Sequence, residues 1–270
     1  MKIKLLNYLV FASFLFAGVV WAGDVEDADA ALLKNDYATA LIKYKQAAKN
    51  NNSVAQFSLG NMYFNGLGVK QDQAEAVRWY KLAAAQGNLK AQSDLAFMYS
   101  YGTWVVQDYT EAVRWYKLAA AQGDASAQYS LGDVYEKGRS GVQDFTEAVR
   151  WYKLAAAQGN VLAQLNLGFM YDDGKGVLQD YAESVRWFKL AAAQGNPDAQ
   201  NNLASMYHTG RGVIQSYVLS HMWFNLAALK SKEKSTAARD AISKLMTQQQ
   251  IAEAQKLARE CQARNFKNCD

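Results

Sequence analysis

The sequence predicts an all-α protein, an α/α superhelical solenoid of helix-turn-helix repeats with a C-terminal helical cap, and three observations carry that prediction. The 270 residues include a single proline, half of them are apolar, and alanine tracts recur, a composition that leans towards helix and away from sheet. A period of 36 residues runs through five copies without insertion or deletion, marked by one column of Trp79, Trp115, Trp151, Trp187 and Trp223 and another of Tyr63, Tyr99, Tyr135, Tyr171 and Tyr207. Helix start and stop signals recur at the same places in every copy.

The first helix of each copy, roughly Leu89 to Ser100 in the second, places Ala91, Leu95, Met98 and Tyr99 on one face by their spacing of three or four. Asn88, Asp124, Asn160 and Asn196 precede it as N-caps, and Pro197, the only proline, stands at the first helical position, where its missing donor costs nothing. A loop with Gly66, Gly102, Gly138, Gly174 and Gly210 in one column then ends the helix, because a left-handed turn favours residues without a Cβ. The second helix opens with a predicted capping box, Asp72 with Glu75, Asp108 with Glu111, Asp144 with Glu147 and Asp180 with Glu183. Gly87, Gly123, Gly159 and Gly195 close it. Small residues such as Ala83 and Ala84 let neighbouring helices approach, and the tryptophans and tyrosines fill the gaps between them.

The ends depart from the repeat, as a stack of units with exposed terminal faces requires. Residues 36–55 keep the register but put Lys43 where tryptophan belongs, as in a leading half-repeat with a wetter face. After Ser231 the period stops, and two more helices are expected near Thr236–Met246 and from Thr247, with Gln250 completing a capping box, to about Ala263. The predicted organisation is therefore an export signal over 1–22, a capping half-repeat over 23–54, five repeats over 55–230, and a cap and tail over 231–270.

Lys2 and Lys4 before an apolar stretch from Leu5 to Val20, with small residues around Ala22, read as an export signal cut after Ala22, which predicts a periplasmic or secreted protein with no membrane span once the signal is removed. The competing reading is an uncleaved anchor, for which the stretch is short and interrupted by Asn7. Formal charge is +4, near +2 once Lys2 and Lys4 are discounted, a balance that predicts neither a nucleic-acid partner nor strong attachment to a membrane surface. Cys261 and Cys269 both lie in the last ten residues; in an oxidising compartment they are placed to pair, and in the cytoplasm they would be two free thiols on a frayed tail.

No constellation for catalysis, cofactor or metal emerges. His208 and His221 are the only histidines and neither has a further ligand at zinc spacing, while the recurrent glycines close helices rather than follow a strand. The recurrent Arg-Trp-Tyr-Lys block reads as structure, each arginine lying three residues after a capping-box glutamate and each lysine near the negative end of the helix.

In the fourth copy the pattern reads Ala163, Leu167, Gly168, Tyr171, Gly174, Gly176 and Asp180, then Trp187, Ala191, Ala192 and Gly195. This resembles the SEL-one-like repeat family, relatives of the tetratricopeptide repeats, over about residues 30–230. The resemblance implies a right-handed superhelix that scaffolds a protein or peptide partner. Trp104 and Ser140 replace its second loop glycine, which predicts local reshaping of the second and third loops. Some cysteine-rich members are described as binding or hydrolysing β-lactams, so an envelope enzyme or a β-lactam- or glycan-binding protein is the alternative. Ser231 with Lys234, Ser93-Asp94 and His208-Thr209-Gly210 are fragments of penicillin-recognising motifs outside their usual context, and the paired repeat cysteines of those relatives are absent.

Comparison of the copies with one another points to a partner-binding stripe. Within the first helices three columns that share one face change from copy to copy: Phe57, Asn61 and Phe64; Ser93, Phe97 and Ser100; Tyr129, Asp133 and Glu136; Leu165, Phe169 and Asp172; Asn201, Ser205 and His208. Buried positions should hold nearly constant and a solvated face should be mostly charged, whereas this stripe mixes aromatic with polar residues, as an interaction hot spot does. By analogy with related solenoids it would line the concave side. The competing reading divides it between neighbour packing and ordinary solvated surface.

Overall fold

A computed structural model of the chain describes residues 23–269; residues 1–22, on which the export signal was read, lie outside the described residues. Among the described residues there are fourteen helices and no strand. They are α1 over residues 23–33, α2 Tyr37–Lys49, α3 Ser53–Asn65, α4 Gln73–Ala85, α5 Leu89–Tyr101, α6 Tyr109–Ala121, α7 Ala125–Lys137, α8 Phe145–Ala157, α9 Val161–Asp173, α10 Tyr181–Ala192, α11 Pro197–Thr209, α12 Tyr217–Ala227, α13 Lys232–Ser243 and α14 Gln248–Ala263. They form two compact units, one ending at Gly123 and one beginning at Asp124. None of these helices is long and apolar enough to cross a membrane, and among the described residues no group of three or more His, Cys, Asp or Glu could hold a metal ion.

In the first unit α1 and α2 bury Ala28, Ala31, Ala40 and Tyr44 in one cluster with Leu59 and Met62 of α3. Lys43, expected on a wetter face, bridges Asp24 and Asp27 at 3.0 and 3.3 Å. The caps of α3 and α5 follow the sequence: Asn52 and Asn88 accept from the amides of Ala55 and Ala91, and Gly66 and Gly102 end the helices at φ 70 and 68°.

At α4, α6, α8 and α10 only half of the expected capping box forms. The Asp72 and Asp144 carboxylates accept from the Glu75 and Glu147 amides at 3.0 and 2.9 Å. The reciprocal bond is missing because the aspartate amide is already committed: Asp72 N donates to Tyr63 O and Asp180 N to Tyr171 O, both at 2.9 Å, which ties the start of each second helix to the end of the first. Each glutamate turns instead to the arginine three residues on, with Glu75–Arg78 at 2.6 Å and Glu183–Arg186 at 2.8 Å. Those guanidinium groups lie over the adjacent tryptophans, 4.4 Å from the Trp79 ring centre and 4.0 Å for Arg150 over Trp151. A complete box closes at α14, between Thr247 and Gln250.

The second loop shows no reshaping of its backbone sense. Trp104 adopts φ 59°, beside 69° for Gly68 and 71° for Gly176. A left-handed residue with a Cβ costs about 1–2 kcal/mol. The edge-on contact of Trp104 with Phe64, ring centres 4.7 Å apart, offsets part of that. In the third loop the left-handed position moves from Ser140 to Gly141, φ 99°.

A column of buried glutamines stitches copies together. In the first unit Gln92 Nε2 donates to Ala84 O at 3.0 Å and its Oε1 accepts from Gln122 at 2.8 Å. In the second unit Gln164 donates to Ala156 O at 3.2 Å and accepts from Gln194 at 2.8 Å. Each buried amide side chain is thus paired at both ends, adding a second donor to a carbonyl in the last turn of the preceding copy's helix and accepting from the glutamine that ends the second helix of its own copy. The second unit ends in a cap: α14 places Ala258 and Cys261 against Met222, Trp223 and Leu226 of α12, and Cys261 is disulfide-bonded to Cys269, with Cα atoms 5.0 Å apart.

Candidate partner-binding face

The stripe resolves differently at each position. In the first unit Phe57 is half-buried against Tyr80 of α4, ring centres 5.6 Å apart, and Asn61 accepts the Tyr80 hydroxyl at 2.8 Å. Burial pushes the Tyr80 hydroxyl pKa upward, so it stays a donor. Phe64 rests on Trp104. Ser93 is partly buried. Ser100 is not on the surface: it is 5 % exposed and its Oγ donates to the Tyr116 hydroxyl at 3.3 Å. Its column varied because the groups it meets on the paired helix can take a hydroxyl, an acid or a ring. Phe97 is 52 % exposed and lies 4.5 Å from the Tyr101 ring, and Tyr101 and Trp104 are themselves 62 % and 48 % exposed.

In the second unit Tyr129 leans on Tyr152 of α8 at 5.8 Å between ring centres. Glu136 accepts the Tyr152 hydroxyl at 2.6 Å and Asn166 donates to the same hydroxyl at 2.9 Å. Burial, reinforced by the neighbouring Glu136, holds the Tyr152 pKa far above that of a free phenol. Asp133 pairs with Lys137 and, at 3.2 Å, with Arg139; Asp172 pairs with Arg211. Leu165 is a second correction: at 7 % exposure it belongs to the core with Val185 and Phe188, since α10 packs over that side of α9. Phe169 is 39 % exposed, edge-on to Phe188 at 5.3 Å. Asn201 is half-buried and lines a small cavity of about 280 Å³ with Ser205 and Lys234. His208 sits 5.7 Å from the Tyr217 ring.

The stripe therefore keeps two exposed aromatic anchors, Phe97 and Phe169, and several polar residues already engaged with neighbours. Tyr101 and Trp104 were not read as part of it. Their signal was present, since Tyr101 stands where the other copies carry Asn65, Lys137, Asp173 and Thr209, and Trp104 where three others carry glycine. Of the β-lactam-like fragments, Thr209 Oγ donates to the Ser205 carbonyl at 3.0 Å and Ser231 stands at the N-cap of α13 without a side-chain bond to it.

The Sel1 repeat model matches residues 53–88, 89–124, 125–160, 161–196 and 197–231, more than half of the chain. Among solved structures, c5321, a protective antigen present in uropathogenic Escherichia coli strains and displaying an SLR fold, is 32 % identical with a TM-score of 0.75 over 91 % of this chain. The chain spans about half of that protein, 55 % of its length. A Sel1 repeat protein from Oxalobacter formigenes is 28 % identical with a TM-score of 0.74, covering 87 % of this chain and 99 % of its own. The search of curated proteins found no match. Sel1 repeat proteins are generally protein-interaction scaffolds and generally non-enzymatic. Five tandem matches, in register with five pairs of capped helices, show that the chain belongs to the Sel1 repeat family, an all-α solenoid of helix-turn-helix repeats.

Proposed function

We propose that the chain is an exported interaction scaffold, periplasmic or secreted and without catalytic activity of its own, that holds a protein or peptide partner on the first-helix faces. The observation that carries the reading is the aromatic set of the first unit. Phe97, Tyr101 and Trp104 keep between 48 % and 62 % of their surface in water while lying in two ring pairs, Phe97 with Tyr101 and Phe64 with Trp104. Aromatic side chains held in place before binding lose little entropy on contact and are the residue type that dominates binding energy at interfaces. Phe169 extends the same chemistry to the second unit. Export is supported by the Lys2-to-Ala22 pattern and by the Cys261–Cys269 disulfide, a bond that persists in oxidising compartments.

The test places a photo-crosslinking phenylalanine analogue at position 97 in cells and compares the captured protein with that of a Tyr101→Ala/Trp104→Ala chain. Capture of one defined protein, lost in the double variant at unchanged helical content, is the expected result. Capture that survives the double variant, or turnover of a chromogenic β-lactam by the purified chain, overturns the reading.

A further inference from the structure

The fifth repeat breaks the pattern that covers the tryptophans of the others. In the third and fourth copies Arg150 and Arg186 lie over Trp151 and Trp187, each held by a glutamate one turn earlier. The fifth copy has Met222 in the arginine column and Leu219 in the glutamate column, so Trp223 has no guanidinium cover from its own helix. Trp223 instead lines a cavity of about 670 Å³, walled on one side by α10 and on another by the C-terminal tail, where Phe266, Asn268 and Cys269 reach it.

The tail wall is seated rather than loosely draped. Gly87, Gly123 and Gly159 have open space where a Cβ would stand, but at the equivalent Gly195 a Cβ would lie 3.2 Å from the Phe266 ring, beside the Lys230 ammonium. Phe266 thus occupies a corner that the other glycines leave empty, and the disulfide from Cys269 to Cys261 of α14 fixes the tail across it. The cavity has an apolar floor of Val185, Leu190, Val213 and Trp223. Among the described residues the charged side chains on its lining are Arg186, which also bridges Glu183 at 2.8 Å, and Lys189, which lies 5.7 Å from the Tyr207 ring centre. Its volume lies within the range of small-molecule sites, roughly 300–1,000 Å³. An open, partly apolar depression with two cationic side chains at its edge is complementary to a ligand with an apolar body and an anionic head.

We propose that this cavity binds such an amphipathic anion, with its apolar body against Val213 and Trp223 and its carboxylate on Arg186 and Lys189. Two sources supply this chemistry, a medium-chain fatty carboxylate and the apolar C-terminal residue of a peptide. The site is separate from the first-helix face, and its test does not depend on the partner proposed there. Calorimetric titration of the oxidised full chain compares sodium decanoate with decanol, and acetyl-leucyl-phenylalanine with its C-terminal amide. The expected result is one bound molecule per chain for at least one of the anions, the tighter one naming the source, with the neutral analogue about tenfold weaker, as loss of one charge-assisted hydrogen bond implies. Ala193→Trp, which puts an indole into the cavity, should abolish binding, and Lys189→Glu should weaken it at least about tenfold by reversing one of two charges. Absence of saturable binding by both anions at millimolar concentration, equal binding of the neutral analogues, or binding unchanged in Lys189→Glu overturns the proposal. Helical content read alongside separates loss of the site from loss of the fold.

Discussion

Replacing Gln164 by Met removes the amide of a fully enclosed side chain while nearly preserving its length and volume, so the energetic change isolates hydrogen bonding from packing. Gln164 is 4 % exposed and makes two bonds, Nε2 to Ala156 O at 3.2 Å and Oε1 from Gln194 Nε2 at 2.8 Å. Each buried neutral bond contributes about 0.5–1.5 kcal/mol net, which sets the loss at about 1–3 kcal/mol. The structure points to the middle of that range. Ala156 O keeps the Gly159 amide at 3.0 Å, and Gln194 Nε2 keeps Gly159 O at 3.1 Å, so neither partner is left wholly bare. Gln194→Met removes the shared bond and the bond to Gly159, and the double variant should cost about 1 kcal/mol less than the sum of the singles, because the shared bond is lost only once. Urea denaturation followed by far-ultraviolet circular dichroism on the three variants measures this. A neutral Gln164→Met refutes the claim that the buried glutamine stabilises the junction with the preceding copy, and single-variant costs that add without coupling refute the contribution of the Gln164–Gln194 bond.

Leu165→Ala and Phe169→Ala separate the two kinds of stripe position: the first should cost about 2–4 kcal/mol as a core truncation and the second less than about 1 kcal/mol, read by the same denaturation curves. His221 is 2 % exposed, and burial first, then the nearby Arg239, lowers its pKa below the usual 6.5, so that folding stability is complete above that value and falls as pH drops through the depressed folded value. Melting temperatures between pH 7.5 and 5 should therefore decline more steeply for the parent chain than for His221→Gln; equal slopes would remove His221 from the account. The Cys261–Cys269 disulfide closes a sequence separation of 8, and its reduction should destabilise the cap by at most about 2–3 kcal/mol, detected as faster amide exchange in α14 under reductant.

Much of the fold was legible because each repeat repeats its punctuation. The N-cap asparagines, the left-handed glycines, Pro197 and the Thr247–Gln250 box all stand where local chemistry alone requires them. The capping box at the second helices was misread for a reason that no local pattern reveals: the aspartate amide is taken by a tyrosine carbonyl about nine residues earlier. The candidate face was only partly legible. Variation between copies does not by itself mean exposure, because a position that packs on a neighbour also varies when the neighbour accommodates each change, as buried Ser100 with Tyr116 and half-buried Glu136 with Tyr152 show. The converse signal was available and unused, for Gln56, Gln92, Gln128, Gln164 and Gln200 form an unvarying polar column inside an apolar helix face, which is the signature of a buried group with a fixed partner.

A second glutamine column, at the ends of the second helices, ends in a way that bears on self-association. A unit that stacks on its own kind has no intrinsic reason to stop at the edge of one molecule, and head-to-tail growth of identical faces leads to open filaments. In the glutamine series of Gln86, Gln122, Gln158 and Gln194 the fifth member is Lys230, whose ammonium occupies Gly195 O at 3.1 Å in place of an amide. Lys230 thus keeps the bond that reaches back to the preceding copy, and on the other side α13 and α14 pack on α12, the helix on which a further copy would stack. The helical cap thus stands where a further repeat would add, in the place that an end group takes on a polymer chain.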